Sequence, residues 1–322
     1  MSQKMKLLIA YDGSECADAA LDDLRRAGLP RDTEAVVLTV ADVWGPPALP
    51  AAYDRITSDM DREIRARAQE LRQHMAQAVE EARLLAVNAS QRIQSMFPVW
   101  AVSAEACAGT PGWELIKKAD ELQPDLLVVG SHGRTALGRA FLGSVSQKVV
   151  TESNCSVRVA RGSTAASDAP ARLVVGIDGS PYAEAALHAI VARQWPQGSE
   201  IRIVHAEFKL PPSASGGLGE HENAAMQMAE WIAENNYRIR QMIETTSERL
   251  QVAGLKTSTV VKEEDPKCLL LEEAESWGAD CIFAGARGLG RFQRFLLGSV
   301  STAVAARAHC SVEIVRTEEI AS

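Results

Sequence analysis

Residues 7–14 read Leu-Leu-Ile-Ala-Tyr-Asp-Gly-Ser, and residues 173–180 read Leu-Val-Val-Gly-Ile-Asp-Gly-Ser. Each apolar run ends in Asp-Gly-Ser and leads into an alanine-rich stretch, Ala17 to Leu21 in one case and Ala183 to Leu187 in the other. A second block also recurs. Gly130-Ser-His-Gly133 continues to Leu142-Gly-Ser-Val-Ser146, and Gly285-Ala-Arg-Gly288 continues to Leu297-Gly-Ser-Val-Ser301. Both copies then pass through Cys-Ser-Val to an arginine, at Cys155 to Arg161 and at Cys310 to Arg316. Self-similarity on this scale means that one structural unit has been built twice.

The two aspartates stand 166 positions apart and the two glycine blocks 155, so the first copy carries about eleven extra residues in its middle. A run of small residues, Gly162 to Ala171, has the composition of a linker. The expected division is therefore 1–161, a linker at 162–171, and 172–322. Within the first copy, short β-rich runs fall near 5–11, 35–41, 99–106, 125–130 and 155–160. Helical patterns lie between them near 15–27, 57–95, 112–122 and 144–152. In the long central segment Ile64, Leu71, Met75, Val79, Ala82 and Leu85 recur at steps that form one apolar stripe. The second copy repeats the order, with strands near 172–178, 201–207, 257–262, 280–285 and 310–315 and helices near 181–193, 222–252, 267–277 and 299–308. Strands alternating with helices predict α/β units, each a mostly parallel sheet covered on both faces and crossed right-handedly. Ligands of such sheets sit at the carboxyl ends of the strands, at the topological switch point.

The recurring glycines fall at that end. Each copy has a strand ending in glycine, then Gly-x-x-Gly, nine residues, and Gly-Ser. A phosphate chain needs backbone N–H donors brought close, and a Cβ would block the approach or forbid a positive φ. Ser144 and Ser299 stand just before helical patterns and are expected as N-caps, where helix N–H groups and a partial positive charge face an anion. The spacing is neither the Walker loop nor the dinucleotide fingerprint.

The chain resembles a tandem universal stress protein, since Gly-x2-Gly-x9-Gly-(Ser/Thr) matches that family's ATP-binding motif in both halves. The likeness extends over nearly the whole chain, including Asp-Gly-Ser after each first strand. It implies two tandem five-stranded parallel-sheet domains, Rossmann-like in the manner of the adenine nucleotide alpha hydrolases. It implies triphosphate contacts from Gly130, Gly133, Gly143, Ser144, Val145 and Ser146, and from Gly285, Gly288, Gly298, Ser299, Val300 and Ser301. Asp12 and Asp178 match the aspartate beside the nucleotide, with Mg2+ a candidate companion ion, although Asp-Gly-Ser is equally a good helix-entry turn. Val40 and Ala206 match the position on which adenine packs. The family also implies pairing through the last strands, here within one chain as a pseudo-dimer, with a further homodimer as an option. Arg134, Arg139, Arg291 and Arg294 lie inside the nine-residue spans and are read either as phosphate partners or as solvated loop arginines. The segments 44–50 and 211–219 are read either as covers or as plain connections.

Composition narrows the alternatives. A net charge of −8 argues against a broad nucleic-acid footprint. No apolar run approaches bilayer length, and the start lacks a signal-peptide core, so a cytoplasmic location is the expectation. The six cysteines form no CxxC pair and are read as small core hydrophobes, and the six histidines show no ligand spacing. No nucleophile elbow, kinase signature or adenylyl-transferase signature is present. The expected role is an ATP-binding stress-response regulator with a site in each repeat. A slow ATP-hydrolysing or self-phosphorylating enzyme, and a nucleotide-free scaffold, are the alternatives.

Overall fold

The computed structural model describes residues 4–43, 59–133, 142–162, 169–207, 222–288 and 297–317. The four loop arginines, the segments 44–50 and 211–219, and most of the linker fall outside these residues.

The first half runs β1 (Met5–Ala10), α1 (Glu15–Asp23), β2 (Thr33–Ala41), α2 (Asp59–Met96), β3 (Ala101–Ala108), α3 (Pro111–Leu122), β4 (Leu126–Gly130), α4 (Ser144–Glu152) and β5 (Ser156–Ala160). The second half repeats it with β6 (Arg172–Gly176), α5 (Pro181–Val191), β7 (Glu200–Ala206), α6 (Glu222–Val252), β8 (Lys256–Lys262), α7 (Pro266–Trp277), β9 (Cys281–Gly285), α8 (Ser299–Arg307) and β10 (Ser311–Val315). Element order follows the expectation throughout. The boundary that differs most is the end of α1, where the last turn tightens into a 3-10 turn over Leu24–Arg26.

All ten strands form one sheet in the order β3-β2-β1-β4-β5-β10-β9-β6-β7-β8. Every pairing within a half is parallel. The seam between halves is antiparallel, with Val159 opposite Val312, Arg158 opposite Glu313 and Val157 opposite Ile314. The expected pairing of last strands is thus made within the chain, and two edges that would otherwise present unpaired backbone groups are closed.

Strand alternation divides the seam into two chemistries. Val157, Val159, Val312 and Ile314 face a core continuous across both halves, shared with Leu115 and Val149 on one side and Leu270 and Val304 on the other. The opposite face holds two separate cores, one under α1 and α2 around Leu21 and Ile93, the other under α5 and α6 around Ile190 and Ile243. Between those two cores the seam carries charge. Arg158, 1% exposed, places Nε 2.6 Å from Asp23 Oδ2 and Nη1 3.2 Å from Glu313 Oε2. Arg193 holds the other side of Glu313, and its Nη1 also donates to the Ala27 carbonyl at 2.9 Å. The chain of alternating charge Asp23, Arg158, Glu313, Arg193 leaves no member uncompensated, which burial demands.

Two more arginines tie the halves together reciprocally. Arg161 Nη2 donates to the Ala305 carbonyl near the end of α8 at 2.7 Å, and Arg316 Nη2 donates to the Val150 carbonyl near the end of α4 at 2.6 Å. Each caps carbonyls that the other half's helix cannot satisfy itself. All six cysteines are free thiols; Cys281 and Cys310 are buried as expected, whereas Cys268 is exposed.

Candidate functional site

The site grows from the turn after the first strand of each half. Asp12 Oδ1 accepts from Ser14 N–H at 3.0 Å, and Ser14 Oγ then accepts from Ala17 N–H at 3.1 Å to cap α1. Asp178 and Ser180 repeat this at α5, at 2.9 and 3.2 Å. The glycine between them adopts φ of +76 at Gly13 and +81 at Gly179, which explains Asp-Gly-Ser as a helix-entry turn. The same turn delivers a carboxylate to the carboxyl end of the sheet. A Cβ on Gly133 would stand 3.1 Å from Asp12 Oδ2, and one on Gly288 only 2.5 Å from Asp178 Oδ2.

The positive φ expected as one reason for the motif glycines is not found. None of the six has a positive φ. Gly130 and Gly285 permit close packing: a Cβ would meet the Cys16 carbonyl oxygen at 2.9 Å and the Tyr182 backbone at 2.6 Å. Gly143 and Gly298 fold the loop back on itself, their N–H groups donating to the carbonyls of Ser131 and Ala286 at 2.8 Å.

The N-cap expectation also changes. Gly143 and Gly298 are the N-caps, with extended backbone, and Ser144 and Ser299 are the first helical residues. A glycine cap has no side chain to bond the first turn. The helix-start N–H groups, which have no carbonyl partner within the helix, are therefore left without a side-chain cap. At α1, α5 and α7 that place is taken by Ser14, Ser180 and Asp265. Ser146 and Ser301 are buried and anchor the helix, their hydroxyls donating to the Gly130 and Gly285 carbonyls at 2.7 and 2.6 Å.

In the second half these parts line an open cavity of about 620 Å3. Asp178, Ala206, Gly285, Gly288, Gly298, Ser299, Val300 and Ser301, the whole expected set, line it. In the first half Asp12, Val40, Gly130, Gly133, Val145 and Ser146 line a cavity of about 110 Å3, while Gly143 and Ser144 do not. Sequence reasoning missed Asp265 and Lys267, which line the larger cavity from the start of α7. Asp265-Pro266 is a readable helix start, but only the strand order shows that it opens beside the glycine loop.

Electrostatics differ between the halves. Arg287 lines the larger cavity and its Nη1 lies 3.4 Å from the Tyr182 hydroxyl. His132 takes the equivalent place in the smaller one, with Nδ1 3.0 Å from Ser131 Oγ. Burial, and then the positive charge of Arg161, hold its pKa below the ordinary value of 6.5. Among the described residues no group of three or more His, Cys, Asp or Glu side chains is arranged to hold a metal, and no helix is long and apolar enough to cross a membrane.

Comparison with known proteins agrees with this architecture. The universal stress protein family model matches residues 5–161 and again 171–316. A universal stress protein of Mycobacterium tuberculosis is 28% identical over 319 residues, covering 96% of each chain. A putative universal stress protein of Staphylococcus epidermidis is 29% identical over 150 residues, which are 46% of this chain and 85% of that one. The crystal structure of a universal stress protein from Archaeoglobus fulgidus superposes with a TM-score of 0.64 at 21% identity, covering 98% of this chain and 99% of that one, a likeness of fold.

Proposed function

This chain belongs to the universal stress protein family, and from that premise we propose that it is a stress-response regulator that binds an adenine nucleotide, ATP first among them, at the glycine loop. The observation that carries the reading is the pair of helix starts at α4 and α8. Both are capped by glycine, both lack a side-chain cap, and both lie at the carboxyl ends of parallel strands. Such a helix start offers N–H donors and a partial positive charge to an anion.

The residues present fit the group. In the second half, Gly288, Gly298, Ser299 and Val300 would surround the phosphates, while Ala206 would underlie the base. Asp178 would repel phosphate oxygens directly, so its place is on a ribose hydroxyl or on Mg2+ that arrives with the nucleotide. A bound triphosphate supplies the negative charge that the loop and helix start are built to receive. The chain's part is to bind and orient it. Among the described residues neither cavity lining pairs a nucleophile with a base of the kind that rapid transfer needs, and the enzyme reading is kept as the second. The nucleotide-free scaffold gives no account of two matching helix starts that carry glycine in place of a side-chain cap at the carboxyl ends of parallel strands.

Calorimetry of the nucleotide-free chain with ATP and Mg2+, together with mass analysis of protein purified without added ligand, tests this. Saturable heat or copurified adenine nucleotide is expected. Silence in both sinks the reading, and turnover near about 1 s⁻¹ would replace the regulator with an enzyme.

A further inference from the structure

The two halves share a motif but not a site. We infer that the chain binds one nucleotide rather than two, in the second half, and that the first half keeps the cradle as a narrowed structural copy. This rests on the reading of the glycine loop as a nucleotide site.

Three observations converge. The first is volume. Ligand pockets for molecules of nucleotide size span roughly 300–1,000 Å3, and the second-half cavity of about 620 Å3 lies inside that range while the first-half cavity of about 110 Å3 lies well below it.

The second is the cause of the difference, visible in the residues themselves. Val40 stands where the second half has Ala206, and Leu38 where it has Val204. Ala10 replaces Gly176, and Val129 replaces Ala284. At each of these four lining positions the first half carries the larger side chain. They come from three neighbouring strands, β1, β2 and β4, so the added methyl groups accumulate on one floor. A close-packed protein floor does not yield such volume without cost.

The third is charge. The second cavity is lined by Lys267 and Arg287, two cations suited to phosphate oxygens. The matching positions in the first half are Gly112 and His132; Asp265, which also lines the second cavity, matches Thr110, so with His132 neutral the second half is the more positive by one charge. Gly112 brings no charge, and the nearby Lys148 is engaged with Glu152 at 2.7 Å and with the Trp113 ring. Less room and less positive charge act in the same direction.

The test uses the full-length chain freed of nucleotide, with ATP and Mg2+ as the probe. Calorimetry and native mass spectrometry are expected to give one ATP per chain. The double variant A206V/A284V installs the first half's own residues in the second cavity and is expected to weaken binding at least tenfold. Should it fail to fold, K267G/R287H removes only the two cations and is likewise expected to cost at least about tenfold, each charged hydrogen bond being worth about that factor. Two ATP per chain with similar affinities would overturn the inference and leave the nucleotide reading intact. One ATP per chain whose affinity ignores the folded variant would place it in the first half and overturn the inference too. No ATP on the unmodified chain would sink the nucleotide reading itself, and the inference with it.

Discussion

Replacing Arg158 with methionine should cost the fold about 3–5 kcal/mol, the usual cost of removing one partner from a buried ion pair. The structure says where that cost falls. Arg158 is 1% exposed and sits between Asp23 and Glu313, which are 3% and 1% exposed. Methionine keeps most of the apolar stem, so little cavity is created and the loss is electrostatic. Glu313 still has Arg193 on its far side. Asp23 keeps only the Ser311 hydroxyl, 2.7 Å from Oδ1, among the partners seen for its carboxylate. The stranded charge is therefore that of Asp23. Adding Asp23→Asn to Arg158→Met should accordingly recover about 1–3 kcal/mol, because an uncharged amide is far less costly to bury than an unpaired carboxylate. Urea unfolding, followed by both tryptophan fluorescence and circular dichroism, measures both steps. A single-variant cost below about 1 kcal/mol would refute the account, as would a double variant less stable than the single one.

Three further expectations are more local. Ser14→Ala and Ser180→Ala each remove a helix cap and should destabilise by about 1 kcal/mol, with faster amide exchange at Ala17 and Ala183; unchanged exchange would show that the caps do nothing. Gly285→Ala forces a Cβ to within 2.6 Å of the α5 backbone, whereas at Gly298 the nearest atom is 3.3 Å away. The first should thus cost about 1–3 kcal/mol and the second less, and the reverse order in thermal melts would contradict the packing argument. The His132 ring should titrate below 6.5 by NMR, since burial and Arg161 disfavour its cation. With the folded value depressed, its contribution to stability is complete above the unfolded pKa of about 6.5 and is lost as pH falls from there through the folded value. A midpoint at or above 6.5 would be inconsistent with this environment.

Much of the fold was legible because local signals agreed with one another. Leu7 to Ile9 and Leu173 to Val175 are short apolar runs closed by glycine turns, and they became central strands buried on both faces. The stripe on α2 was read correctly towards its end, where Ala82 is buried, and it continues through Ala86, Ala89 and Ile93. Other features depend on geometry that no spacing carries. Serine is the better cap former in isolation, yet the extended backbone at Gly143 and Gly298 makes those residues the caps and moves the serines inside. The glycines looked like residues chosen for positive φ or for an anion, and at Gly130 and Gly285 it is the approach of α1 and α5 that excludes a Cβ. Arg158 and Glu313 occupy matching places in the two copies, but that they meet follows only from the register of the seam. The unequal cavities could have been anticipated in part, since Val40 against Ala206 and His132 against Arg287 were visible in the aligned halves. Their common floor was not visible until the strand order placed them together.

The antiparallel join of β5 to β10 also fixes how the two cradles face the outside. Strands of one half run opposite to those of the other, so their carboxyl ends emerge at opposite rims of a single plate. The halves meet at its waist, where Arg158 pairs with Glu313 and where Arg161 and Arg316 each reach the end of the other half's last helix.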